Sequence, residues 1–325
     1  NTFNYSKKEE TNYIKVKNRI MKINIPECQK MGISNMNTLI AIICMLEYGI
    51  QKLSYKYQIN TINDIMGYTV TFAMKLIKSL RTLVVVIEKQ KDYVVANAIL
   101  RMLADNISIF KLIYGNSDYK ELIFRHYLYI LDGSLARFKE LPEAIHYDGK
   151  IAQEEFISLE KQIKTTREAE QRNINYCMQI LKNHPYSATE NKVTDNIIQK
   201  SNWKYKSIDS SFKEKNVYTW KELYSLLEMS QTGTSFFSYL SQYVHGLSIS
   251  NIQLEEDNDD FEPIICTGVC LSGFLKETLF AIFKEDGEYM MDGYLTSPQG
   301  IEHWSNLGEQ YREKLINIAS NSDGK

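Results

Sequence analysis

The chain has 325 residues, 44% of them hydrophobic and 24% charged, the balance of an ordinary globular protein. That length holds a real core without help from disulfides or metals. Its 38 basic and 40 acidic residues leave a net charge of −2, which argues against a surface coated in basic charge for nucleic acid but not against a local patch.

The first twelve residues, NTFNYSKKEETN, carry no apolar run, so no secretory signal is expected. Five cysteines (Cys28, Cys44, Cys177, Cys266 and Cys270) are an odd number and lie mostly in apolar stretches. They read as reduced core thiols of a cytoplasmic protein rather than a disulfide framework. The uncharged run from Met31 to Leu46 is broken by Ser34, Asn35, Asn37 and Thr38, which falls short of a membrane span, and no membrane partner is expected. The richness in Ile, Asn, Lys and Tyr matches the codon bias of an A+T-rich bacterial genome.

Only five prolines and fifteen glycines punctuate the chain, which suits long helices better than many strands and tight turns. Residues 1–33 are irregular, with one short strand-like run, MKINI, before Pro26, and read as an N-terminal arm. From Asn37 the apolar residues Leu39, Ile43, Leu46, Ile50 and Leu53 recur at helical spacing. A second helix is predicted through NDIMGYTVTFAMKLIKSLRTLVVVIEKQ, capped by Asn63 or Asp64. The third runs from an Asp92 cap to a Gly115 stop. The fourth, from Tyr119, ends before Pro142. Connections this short imply antiparallel neighbours in a bundle.

A long polar helix is predicted over about 152–183, terminated by His184-Pro185, and residues 185–217 read as a weakly structured connector rich in lysine. Thr219 caps WKELYSLLEM, Thr234 or Ser235 starts a helix through YLSQYVHG, and the acidic run EEDNDDFE precedes an apolar helix from Pro263. The segment DGEYMMDGYLTSPQG reads as a turn-rich link to a last helix from Gly300. With no repeat and no low-complexity linker, the pattern predicts an all-α multi-helix bundle, mainly antiparallel, with one helical domain over 34–320.

The third helix is apolar nearly all round, as a central helix is, yet Asn97, Arg101, Asp105 and Ser108 form one narrow polar stripe on it. Stranding either charge inside a bundle would cost about 3–5 kcal/mol, so both need partners. The fourth helix carries Glu121, Arg125, Tyr129 and Asp132 at helical spacing, with His126 beside them. Gly133 within that helix predicts close approach of another backbone or a ligand. Ser238, Ser241 or Gln242, and His245 make a third polar line in the YLSQYVHG helix, where Tyr243 also lies.

Two readings of these stripes follow. One is a structural hydrogen-bond network of Asn97, Asp105, His126, Tyr129, Asp132, Ser241 and Tyr243 that sets helix register. The other is a site in which Arg101 and Arg125 bind an anion and His245 exchanges protons, a combination suited to metal-independent RNA cleavage or to plain binding of an anionic ligand. RNA or another anionic ligand is the partner class this chemistry fits, and a homo-oligomer is compatible with it.

No metal and no cofactor is expected. Cys266 and Cys270 share a helix face without further ligands, and Gly268 and Ser272 read as a close helix–helix contact. EEDNDDFE fails the EF-hand spacing. His146, His184 and His303 read as surface histidines, and the common nucleotide, dinucleotide, zincin and hydrolase motifs are absent.

The segments ANAILRMLADNISIFKLIY, FRHYLYILDG and LSQYVHG together resemble a bacterial group of uncharacterised all-helical proteins with an early A-x-x-L-R helix and a late L-S-x-x-V-H helix. The resemblance covers about residues 90–250. Some members of that group are placed near the HEPN superfamily, which includes ribonucleases of toxin–antitoxin and phage-defence systems, so the resemblance implies a role in defence. HEPN ribonucleases carry an arginine, a polar residue and a histidine a few positions on. Here RNINYC (Arg172 to Cys177) lacks the histidine, and Arg125 and His126 are adjacent. Only Arg101 and His245 fall on the group's own motif positions.

Overall fold

The computed structural model describes residues 34–187, 191–212, 214–227, 231–244 and 261–294. Among these the chain is all-α: ten α-helices form and no strand does. The expected N-terminal arm, the last helix, Cys28, His303 and His245 lie outside the described residues.

Local chemistry sets most helix ends. Helix α1, Asn35–Lys56, starts where the Ser34 hydroxyl accepts from the Asn37 amide at 3.2 Å. Helix α2, Ile65–Val85, follows Asp64, whose carboxylate turns back to the Asn60 and Thr61 amides, both at 2.8 Å. Those two bonds hold the Asp64 carboxyl below its ordinary range. A π-helical turn, Val86–Gln90, extends α2 until Lys91 turns left-handed at φ 56°. Helix α3, Tyr93–Tyr114, opens on Asp92, which accepts from the Val95 amide at 2.7 Å. It stops at Gly115 as expected, though Gly115 has φ −76° and is not in the left-handed conformation usual for such a glycine.

Helix α4, Tyr119–Glu140, is capped by Asp118, and α5, Gln153–Lys182, is the long polar helix. The connector expected to be weakly structured holds a helix, α6 (Lys192–Gln199), and buries Ile197, Ile198, Trp203 and Tyr205. Widely spaced aromatic anchors without helical period fix this stretch, which is why pattern reading missed it. Helix α7, Trp220–Ser225, begins with a capping box: Thr219 Oγ1 accepts from the Glu222 amide while Glu222 accepts from the Thr219 amide. Helix α8, Gln231–Val244, starts a turn before the expected Thr234 or Ser235. Helix α9 is Glu262–Ile282, and the supposed link after it contains α10, Gly287–Met291, with Met290 and Met291 buried.

The single domain expected over 34–320 divides into two compact units. The described residues up to Gly115 and from Leu223 onward form one, and those of Asn116–Glu222, an insertion in chain order, form the other. In the first unit α3 packs against α2, α8 and α9, while α1 packs against α2, α9 and α10. Leu100, Leu103, Ala104, Ile107, Phe110 and Ile113 of α3 are wholly buried, the central position its all-round apolarity predicts. A side chain on Gly268 of α9 would press within 3.3 Å of Leu39 and 3.4 Å of Leu83, so the expected close helix contact is there. At the foot of α1, the buried Asp286 accepts from Lys56 and from the Tyr57 hydroxyl. Burial alone would raise its carboxyl, but these two partners hold it below the usual range.

In the second unit α4 and α5 pack antiparallel, Lys120 meeting His184 at one end and Arg137 meeting Glu170 towards the other. The buried positions of α5 (Glu170, Ile174, Cys177 and Leu181) repeat at three- and four-residue spacing along one stripe. By length and composition, α3 and α9 are long and apolar enough to cross a membrane, but half or more of each apolar stretch is buried, as in the central helices of a bundle.

Candidate functional site

The polar stripe of α3 resolves into three separate arrangements. Asn97 donates to its own Tyr93 carbonyl at 2.9 Å, and Ser108 to the Ala104 carbonyl at 2.8 Å. Both are buried and satisfied by the preceding turn of α3.

Arg101 and Asp105 reach outward into a network with α7 and α8. Arg101 Nη1 pairs with Asp105 Oδ1, and Arg101 Nε donates to Ser241 Oγ at 3.0 Å. Tyr224, wholly buried, donates its hydroxyl to the same Asp105 oxygen at 2.6 Å, with its ring 5.1 Å from the guanidinium. The Arg101 side chain is 11% exposed and that of Asp105 25%, so the pair is closed from most sides but not sealed. Burial lowers the Arg101 pKa, against the pull of Tyr224, and pushes the Tyr224 phenol up to about 12. At neutral pH the phenol therefore keeps its proton, as a donor rather than a base.

Beside this network stands an aromatic group. Tyr243 of α8 meets Tyr93 at 6.2 Å and Tyr239 at 5.9 Å between centroids, and Tyr93 meets Phe261 at 5.6 Å. Tyr243 thus joins a ring cluster at the mouth of α3.

The α4 residues belong to the second unit and are paired there. Arg125 is 3% exposed. Its Nε and Nη2 donate to Glu121 Oε1 at 2.9 and 2.7 Å, its Nη1 donates to the Trp203 carbonyl at 2.8 Å, and its guanidinium lies 3.8 Å from the Tyr205 ring centroid. Asp132 accepts from Ser201 Oγ at 2.9 Å and from Trp203 Nε1 at 3.0 Å, while Tyr129 meets the Trp203 ring edge-on at 5.4 Å. Ser201 has φ 45°, a left-handed backbone that the Asp132 bond helps hold. His126 is wholly buried, its ring edge-on to Tyr127 at 5.2 Å.

Among the described residues, a side chain at Gly133 would meet the Arg137 guanidinium, at 3.2 Å, and no other backbone. Arg137 in turn grips Glu170 through Nε at 2.6 Å and Nη2 at 3.0 Å, and holds that carboxyl below its usual range.

Arg101, Asp105, Ser241 and Tyr243 thus lie in one unit, and Arg125, His126, Tyr129 and Asp132 in the other. Each arginine is neutralised by a carboxylate one turn away on its own helix. The pairing partners Tyr224, Trp203, Tyr205 and Glu170 gave no sequence signal, because no spacing rule links residues on different elements. His184, expected on the surface, is 6% exposed and packed against Phe124. Among the described residues no three His, Cys, Asp or Glu side chains are grouped to hold a metal ion. Among the described residues Cys44, Cys177, Cys266 and Cys270 form no disulfide, and burial pushes the Cys177 thiol up to about 11.

Among the described residues, the Tyr205 hydroxyl is buried without a hydrogen-bond partner. Removing a polar group that makes no bond is near neutral or favourable. Tyr205→Phe should therefore leave stability within about 0.5 kcal/mol or raise it by up to about 1 kcal/mol in urea unfolding, whereas a loss above about 1 kcal/mol would show that the hydroxyl is bonded.

Comparison of the chain with protein-family models, with curated proteins and with solved structures finds no match in any of the three.

Proposed function

We propose that this chain is a helical binding or interaction protein whose buried arginines hold its helices in register rather than process a substrate. One observation carries the reading: the guanidiniums of Arg101 and Arg125 are each already committed to a carboxylate, a further acceptor and an aromatic ring. An arginine that must hold a phosphate in a transition state needs its fork free, and displacing a buried carboxylate is costly. A cytoplasmic setting and a role in bacterial defence belong to the same proposal, and rest on the thiols and on the resemblance respectively.

The competing reading is a metal-independent, HEPN-like ribonuclease using His245 with Arg101 and Arg125. It draws on the part-open Asp105 and on the place of Ser241, bonded to Arg101, four residues before His245. Incubation of the purified protein with total RNA in chelator separates the two. The binding protein leaves the RNA intact. Cleavage by the parent chain that disappears in both Arg101→Ala and His245→Ala would replace this proposal with the ribonuclease.

A further inference from the structure

In the second unit, a histidine joins the end of one helix to the start of another. His184 follows the last turn of α5, and its ring packs beside Phe124 at 4.9 Å and Tyr186 at 4.7 Å, which are themselves 5.4 Å apart. Both ring nitrogens are occupied. The Tyr186 amide donates to Nδ1 at 3.2 Å, so Nδ1 must be unprotonated, and Nε2 carries the proton that it gives to the Lys120 carbonyl at 3.1 Å. The turn is tied further by the Ser187 amide on the His184 carbonyl at 2.8 Å and the Ser187 hydroxyl on the Leu181 carbonyl at 2.7 Å. The Tyr186 hydroxyl closes the arrangement on Asp118 Oδ2 at 3.1 Å, while Asp118 Oδ1 caps α4 through the Lys120 amide at 2.9 Å.

We propose that the turn over 184–187 is an acid-sensitive latch on the N-terminal end of α4, opened when His184 takes a second proton. Protonated Nδ1 is a donor facing a donor, so the Tyr186 amide loses its acceptor. As the turn leaves, the Tyr186 hydroxyl withdraws from the Asp118 cap.

Burial is the largest influence on the ring and opposes its protonation; the Nε2 bond to the Lys120 carbonyl and the Asp118 carboxylate at the head of α4 favour it, and the Lys120 ammonium opposes it. From its own turn the ring faces Tyr186, whose phenol burial and Asp118 push up to about 12, so Tyr186 stays protonated throughout. The sign follows. The His184 pKa is lowered in the closed turn, so the open form binds more protons as pH falls below the ordinary histidine value of about 6.5. The latch contributes its full stability above that pH and loses it as pH falls towards the depressed pKa of the closed state.

The test is amide hydrogen exchange on the full chain, read residue by residue by NMR and corrected for the intrinsic pH dependence of exchange. Protection of the Tyr186 amide should fall below pH ~6.5, by up to about tenfold per pH unit, while the amide of Leu128 in the middle of α4 keeps its protection. His184→Asn places an amide oxygen near Nδ1 that accepts without titrating, and should abolish the pH dependence. Equal Tyr186 protection at pH 7.5 and pH 5, or a fall that persists in His184→Asn, overturns the latch. Should that variant not fold, the ring titration of His184 in the parent chain decides: a midpoint below pH ~6.5 supports the latch and one at or above it removes it.

Discussion

Arg125→Ala should destabilise the second unit by about 3–5 kcal/mol, the cost of breaking a buried ion pair by removing one member. The side chain does three things at once. It neutralises Glu121, donates to the Trp203 carbonyl, and stacks on Tyr205. Glu121 is 28% exposed, so water can solvate the widowed carboxylate and soften the loss. The Trp203 carbonyl and the face of Tyr205 have no such relief, since both residues are buried. Tryptophan fluorescence during urea unfolding reports the change, because Trp203 and Trp220 both lie in this unit. The transition should move down by on the order of 1–2 M urea. Arg125→Lys keeps the charge but not the fork that serves Glu121 and Trp203 together, so it should recover only part of the loss. A cost below about 1 kcal/mol for the alanine would mean that Arg125 is not the tie between α4 and the 201–205 turn.

Asp105→Ala should cost the first unit about 3 kcal/mol, through two donors rather than one. Its carboxylate is shared by Arg101 and by the Tyr224 hydroxyl, and its removal deprives both in a place where Arg101 is only 11% exposed. Because a buried pair often stabilises no more than an apolar replacement of similar size, Arg101→Met combined with Asp105→Leu should be less damaging than Asp105→Ala alone. A double-mutant cycle on urea midpoints yields the coupling directly. Additive losses from the two single changes would show that the pair is not the unit described here. The same variants bear on function, since a network that only positions α7 and α8 changes stability without creating or abolishing any activity on RNA.

Several features were legible because their causes are local. The start of α3 depends on Asp92 reaching Val95, three residues away, whereas the apolar pattern places the start of α1 at Asn37 and Ser34 in fact caps it so that it starts two residues earlier. Thr219 and Glu222 likewise close their box over three residues. The central place of α3 is written in its composition, since a helix apolar on every side can be stable only when surrounded. The i,i+4 pairs Arg101–Asp105 and Arg125–Glu121 also follow from helical spacing alone. At Gly133 a mid-helix glycine signals room, and among the described residues the Arg137 guanidinium stands at that room.

What sequence alone determined, then, is the helical class, the Asp92 and Thr219 caps, the apolar face of each long helix, and the need of α3's charges for partners. Tertiary structure decided who those partners are. Ser241 comes to Arg101 from 140 residues away and Tyr224 to Asp105 from 119, while Trp203 reaches Asp132 across 71. It also decided that Arg101 and Arg125, which look alike along the chain, belong to different compact units. Helical periodicity tells each segment which face to bury but not against which other segment. That choice is made by the summed burial of many side chains over the whole unit, and no local window contains the sum.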